Sequence, residues 1–162
     1  MNVNYLSNIE FRFTINRLPN VEFYIQGVTM PGISSGATIQ PSPFKNINRP
    51  GDKLEYEDLT LKCIIDEKME AYFEVWNWLI GITKPLEFGQ YKRTKESEEG
   101  IFSDATLTIL NSNKNPHVEV NFRNLFPTSV SSIDFDTKQT DVEPPMVDFT
   151  FKYGYYDFKT LP

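Results

Sequence analysis

Apolar and polar residues alternate with period two along much of this chain. Ile9, Phe11, Phe13 and Ile15 are interleaved with Glu10, Arg12, Thr14 and Asn16. Val21, Phe23 and Ile25 are interleaved in the same way with Glu22, Tyr24 and Gln26. Such alternation places one set of side chains on a single face of a strand. With only Leu18-Pro19-Asn20 near the turn, the two runs predict a hairpin. Further runs occur at Ala105, Leu107 and Ile109, at Val118, Val120 and Phe122, and at Val147, Phe149, Phe151 and Tyr153. The expected class is therefore mainly β: an antiparallel barrel or sandwich whose strands keep one side wet.

The pattern shifts at two places. In KLEYEDLTLKCII, Leu54 and Tyr56 share one parity, whereas Leu59, Leu61, Cys63 and Ile65 share the other. A parity switch turns the apolar set to the opposite face unless the backbone bulges, so a bend is expected near Glu57-Asp58. After Asp66, a plausible N-cap, the period changes to that of a helix over about residues 67–80. Met69, Tyr72, Phe73, Val75, Trp76, Leu79 and Ile80 form one broad side, widened by Ala71 and Trp78. That arc of roughly 220° exceeds what packing on one surface requires. A helix this apolar is expected to be touched from two directions, with a neighbouring subunit as the second and Trp76 and Trp78 as interface candidates.

Three segments lack periodicity. GATIQPSPFKNINRPGDK, residues 36–53, carries Pro41, Pro43 and Pro50 and few apolar residues. Structureless segments of this length are uncommon in compact domains and tend to be binding loops, lids or disordered. Residues 90–100 are charged and expected to be an exposed loop. Residues 136–146 join the last two strand regions, and Pro144-Pro145 stops that connection from continuing a ladder.

Length and composition narrow the function. The 162 residues suit one domain. A single cysteine, Cys63, excludes a disulfide framework and a cysteine-rich zinc site. The start, MNVNYLSNIEFRF, lacks the order of a secretory signal, and no apolar run is long enough to span a membrane. These features suit a protein made or assembled in the cytosol. Acidic residues outnumber basic ones, 22 to 16, which argues against tight binding of nucleic acid but not against nucleic acid passing nearby. The 13 Phe and 8 Tyr fit strand-rich structure.

Nothing resembles a catalytic site. His117 is the sole histidine and follows a proline, so a surface role is favoured over a general base. Cys63 shares the apolar parity of Leu61 and Ile65 and reads as a small buried hydrophobe. Glu55-Glu57-Asp58 and Glu96-Glu98-Glu99 lack the ligand spacing and turn glycine of a calcium loop. There is no phosphate loop or dinucleotide fingerprint. No enzymatic activity, cofactor or metal is expected.

The order of segments is nevertheless distinctive. VEFYIQGVTMPGIS is followed by the proline-containing arm, RPGDKLEYEDLTLKCIIDE and the helix with VWNW. VEVNFRNLFPTSVSSIDFDT and VDFTFKYGYYDF come late. This succession, over roughly residues 9–158, resembles the tail tube proteins of contractile-tailed bacteriophages. The resemblance implies a barrel or sandwich with a flanking helix, assembled as hexameric rings that stack into a conduit inside a contractile sheath. It implies as partners the sheath, a baseplate initiator and a tail terminator, with DNA passing through, no membrane, and location in the virion.

In that family the long arm, here about residues 33–53, reaches another subunit. Phe44 and Ile47 would then be apolar anchors, and Lys45, Arg49 and Asp52 would give polar registration. A disordered surface loop remains the alternative for this segment. Acids facing the lumen would repel phosphates, with Glu55 and Glu57 as candidates. The competing readings are a tube-initiating baseplate protein, a secretion-system tube protein or a carbohydrate-binding β-sandwich monomer.

Overall fold

The computed structural model describes residues 5–84, 88–96, 100–138 and 143–161. The chain runs β1 (Phe11–Ile15), α1 (Val21–Tyr24), β2 (Ile25–Thr29), β3 (Ile33–Gln40), β4 (Ile47–Tyr56) and β5 (Leu59–Ile64). It continues through α2 (Glu70–Thr83), α3 (Phe88–Glu96), β6 (Ser103–Leu110), β7 (Pro116–Val130), β8 (Met146–Lys152) and β9 (Tyr155–Thr160).

Strand β7, 15 residues long, organises the rest. Its first part lies between β6 and β9, and β1 extends that side by pairing with β6. Its second part pairs with β8, which leads through β5 to β2. Every pairing is antiparallel. The sheet bends where β8 gives way to β9: Asn124 has φ of 56°, and the Gly154 N–H donates to the Arg123 carbonyl at 2.9 Å. The Asp104 carboxylate steadies this corner by accepting from the Asn124 N–H and from Arg123 Nη1. Pro127 is tolerated inside β7 because the register shifts between Pro127 and Ser129. No ladder joins β1 to β2 among the described residues, so the arrangement is sandwich-like and no closed barrel forms.

The alternation predicts the core well. Phe13 and Ile15, Leu59, Leu61 and Cys63, Leu107, Val120 and Phe122, and Val147, Phe149 and Phe151 all belong to one buried cluster. Helix α2 adds Ala71, Val75 and Trp78 to it.

Several expectations need correction. The two first runs do not form a hairpin, because β1 pairs with β6 and β2 with β5. Alternation identifies an inward face but not the partner strand. Val21–Tyr24 is a helical turn in which Val21 is fully buried and Tyr24 packs on the core. Phe23, placed inside by strand parity, is 81% exposed. The helix predicted for 67–80 begins later, at Glu70, because Asp66 caps a preceding turn. Its carboxylate accepts the Lys68 and Glu70 N–H groups at 3.3 and 3.1 Å, and Met69 has φ of 55°.

Residues 88–96, expected in part as loop, form helix α3; 97–99 lie outside the described residues. The proline-containing arm is not irregular but a two-stranded sheet of β3 and β4. Pro41 and Pro43 fall in its connecting loop, where they interrupt no ladder. Pro50 sits opposite Ala37 next to a register shift, a position a proline can occupy.

The bend expected at Glu57-Asp58 is present. β4 stops at Tyr56, and β5 starts at Leu59 in the other sheet. Pro144-Pro145 immediately precedes β8, and the Pro145 carbonyl accepts the Ile65 N–H at 3.0 Å. Residues 139–142 of that connection lie outside the described residues.

The hairpin depends on one glycine, Gly51. A Cβ on Gly51 would run into the Gly36 carbonyl on the facing strand. Gly51→Ala should therefore open the ladder at its bulge and leave the core intact. Hydrogen exchange should show lost protection in 34–40 and 47–55, with the amides of β5 and β8 unchanged.

Candidate functional site

The hairpin is the feature that the fold itself does not use. At about 3.3 Å per residue, its 8-residue first strand extends roughly 26 Å. An isolated two-stranded ribbon is marginal in water, so this one must be held at its root and covered on a face.

The root is held by tyrosines and a carboxylate. The Glu57 N–H donates to the Gly32 carbonyl at 3.1 Å, and the Gly32 N–H donates to Glu57 Oε2 at 3.1 Å. A Cβ at Gly32 would come within 2.9 Å of that carboxylate oxygen, so a larger residue would require the Glu57 side chain to shift. Tyr153 Oη donates to the Glu57 carbonyl at 2.9 Å, and Tyr156 Oη donates to the Pro31 carbonyl at 3.4 Å. Tyr56, the last residue of the hairpin, meets the Tyr153 and Tyr156 rings edge-on at 5.7 and 5.6 Å. Both rings also contact Phe122 of the core. The hairpin is thus joined to the buried cluster through an aromatic patch.

Register sorts the hairpin into two faces. Ile33 opposes Tyr56, Ser35 opposes Leu54, Ala37 opposes Pro50 and Ile39 opposes Asn48. Facing partners share a side of the ribbon, so this side is largely apolar. The other side pairs Ser34 with Glu55, Thr38 with Arg49 and Gln40 with Ile47. There Arg49 Nε donates to Gln40 Oε1 at 2.6 Å. Among the described residues nothing covers the outer part of the apolar side: Ile39 is 58% and Leu54 55% exposed. Phe44, in the connecting loop, is 98% exposed.

The structure therefore brings Phe44, Lys45, Ile47, Arg49 and Asp52 together on one projecting element, every one of them exposed. Glu55 stands on its polar side, whereas the Glu57 carboxylate is tied to the root. The sequence pattern includes Tyr56 and Tyr153 only as members of alternating runs and does not single out Gly32 or Tyr156. The visible signal is the cluster YGYY just after β8, in which Tyr153 and Tyr156 flank the bend.

Helix α2 divides the two tryptophans. Trp78 is not available to a partner: it is 3% exposed, and its Nε1 donates to the Ile101 carbonyl at 3.2 Å. Its ring lies 6.2 Å from that of Phe151, with the Arg17 guanidinium 5.2 Å away on its face. The buried stripe is Ala71, Val75, Trp78 and Gly81. That spacing follows the helix repeat, which the breadth of the apolar arc concealed. Trp76 lies on the other side, half-buried, near the half-exposed Phe73.

Little suggests chemistry. Burial, with Asp148 adding to it, pushes the Cys63 thiol up to about 12, which keeps it neutral. His117 lies exposed at the start of β7 beside Tyr5, Leu6 and Ile109. Among the described residues no three His, Cys, Asp or Glu side chains gather as a metal site. No described helix is long and apolar enough to cross a membrane.

The root should respond to alkali. Burial, with Tyr156, Tyr56, Asp58 and Glu57 adding to it, raises the Tyr153 phenol to about 12, from an ordinary value of about 10. The folded state favours the neutral phenol. Its contribution is complete below the ordinary value and is lost as pH rises from about 10 through 12. Tyr153→Phe should remove part of this alkaline loss, seen as a smaller drop in Tm between pH 9 and 11. At neutral pH the same change should cost about 0.5–1.5 kcal/mol for the lost hydrogen bond, measured by urea unfolding.

No family model matches the chain. A tail tube terminator protein of enterobacteria phage T4 is 28% identical over 155 residues, covering 93% of this chain and 80% of that protein. The tube-terminating cap of the anti-feeding prophage shares the fold with a TM-score of 0.70 at 17% identity, over 99% of this chain and 95% of that one. A chain of the sheath–tube complex of an extracellular contractile injection system matches with a TM-score of 0.64 at 14% identity, over 97% and 93% of the two chains. The fold is thus shared with tube-associated components of contractile particles, and the phage T4 relative is a tail tube terminator.

Proposed function

We propose that this chain is a structural subunit that closes the tube of a contractile tail. Its copies form a ring, taken as six-membered from the tube resemblance, that seats on the last ring of the tube beneath the sheath. The observation that carries this reading is the similarity to a tube terminator over 93% of the chain, with the same fold in a tube-terminating cap. The projecting hairpin supplies the physical means. Its apolar side is a liability for a monomer and useful in a repeating contact with other copies. Phe44 at the tip and Ile47 on the opposite side act as further apolar anchors of the hairpin. The net charge of −6 suits a passage for DNA, which slides past without being held. The chain acts through assembly and carries out no reaction.

A second reading, a tube subunit repeated along the whole tail, is favoured by the likeness to the sheath–tube complex and by the order of segments in the sequence. One experiment separates the two. Antibodies raised against the purified chain, coupled to gold, are applied to intact and sheath-stripped particles from cells carrying the gene. Gold at a single tube end is the expected result. Gold along the full stripped tube would replace the terminator with the tube subunit, and particles free of gold would overturn both readings.

A further inference from the structure

Two surfaces of this chain lack a counterpart inside the subunit, and they carry opposite charge. The first is the tip of the hairpin. Residues 45–53 hold Lys45, Arg49 and Lys53 against one acid, Asp52. None of the three cations makes an ion pair among the described residues. Phe44, Ile39 and Ile47 are exposed beside them. The second surface is the leading end and outer side of α2. Residues 66–74 hold Asp66, Glu67, Glu70 and Glu74 against Lys68. Glu67 makes no ion pair among the described residues, and Glu70 reaches only Lys68, at 3.8 Å and exposed to water. Phe73 stands one turn from Glu70, half exposed, with the half-buried Trp76 following it.

Resting on the ring-forming reading above, we infer that the hairpin tip of one copy docks on the outer side of α2 of a second copy. Phe44 and Ile47 cover Phe73 and Trp76, while Lys45 and Arg49, on the same side of the ribbon as Ile47, lie over Glu67 and Glu70. The tip does not seat on its own helix: β3 and β4 pair only with each other, and Phe44 is almost wholly exposed. Charge complementarity selects the partner surface and fixes the register. The contact joins different patches on the two copies, and a repeated contact of that kind generates rings when its rotation closes. It also accounts for the second apolar side of a helix whose buried stripe is already satisfied by the core.

The test is a charge exchange in the full chain, read by light scattering and electron microscopy over a concentration series. Lys45→Glu with Arg49→Glu should raise the concentration for half assembly by about tenfold or more, because like charges then face each other. Glu67→Lys with Glu70→Lys should do the same. The four changes together should return assembly to within about threefold of the original chain, since exposed pairs contribute modestly. A mixture of Phe44→Cys and Phe73→Cys chains, mildly oxidised, should give a crosslinked pair, with the buried Cys63 silent. Rings that form without exchange rescue and without the mixed disulfide would overturn this docking and leave the ring reading intact. A chain that forms no rings, even on isolated tube ends, would overturn the ring reading and the docking with it.

Discussion

A ribbon of two strands has no third strand to complete its hydrogen bonding and no layer behind it to bury a face. That constraint governs the arrangement around β3 and β4. The ribbon survives because its root is fastened to the core and because Gly51 lets the two strands approach closely at the bulge. The fastening uses groups with little freedom to lose. Tyrosine rings have two torsions each, and their hydroxyls reach backbone carbonyls of Pro31 and Glu57. A rigid projection of this kind loses less entropy on docking than a disordered arm would, so more of its contact energy remains as affinity.

The remaining architecture serves that root. Strand β7 carries one sheet along its first part and the other along its second, and the corner at Asn124 and Gly154 brings Tyr153 and Tyr156 to the same place. Phe122, fully buried, touches both rings and passes the rigidity of the core to the hairpin. The parity switch at Glu57-Asp58 releases the chain from the ribbon into β5, where Leu59, Leu61 and Cys63 are completely buried.

Much of this was legible in the residues. Alternation identified the inward residues of β5, β6, β7 and β8, since each sits in a sheet with one wet side. The switch in parity located the bend to the residue pair. The proline-containing arm was recognised as a projecting element but read as irregular, because the hydrogen bonds of a ribbon leave little trace in a sequence with few apolar residues. VEFY fits a strand as well as a helical turn, because a four-residue segment satisfies both periods. Trp78 was assigned to an interface because a broad apolar arc does not show which part of it meets the core. The resemblance indicated the tube of a contractile tail, whereas the sequence relative is its terminator. Fold and pattern are shared by both roles, so that distinction lies beyond periodicity.

The chain presents a preformed arm whose apolar side is exposed. The account stands on the claim that a second copy provides the cover. A cryo-electron microscopy map of the assembled ring tests it most directly. The account predicts Ile33, Ile39 and Leu54 packed against a neighbouring protomer with the hairpin kept as two paired strands. A ring in which those side chains face solvent, or in which residues 33–56 have unfolded from the ribbon, would contradict it.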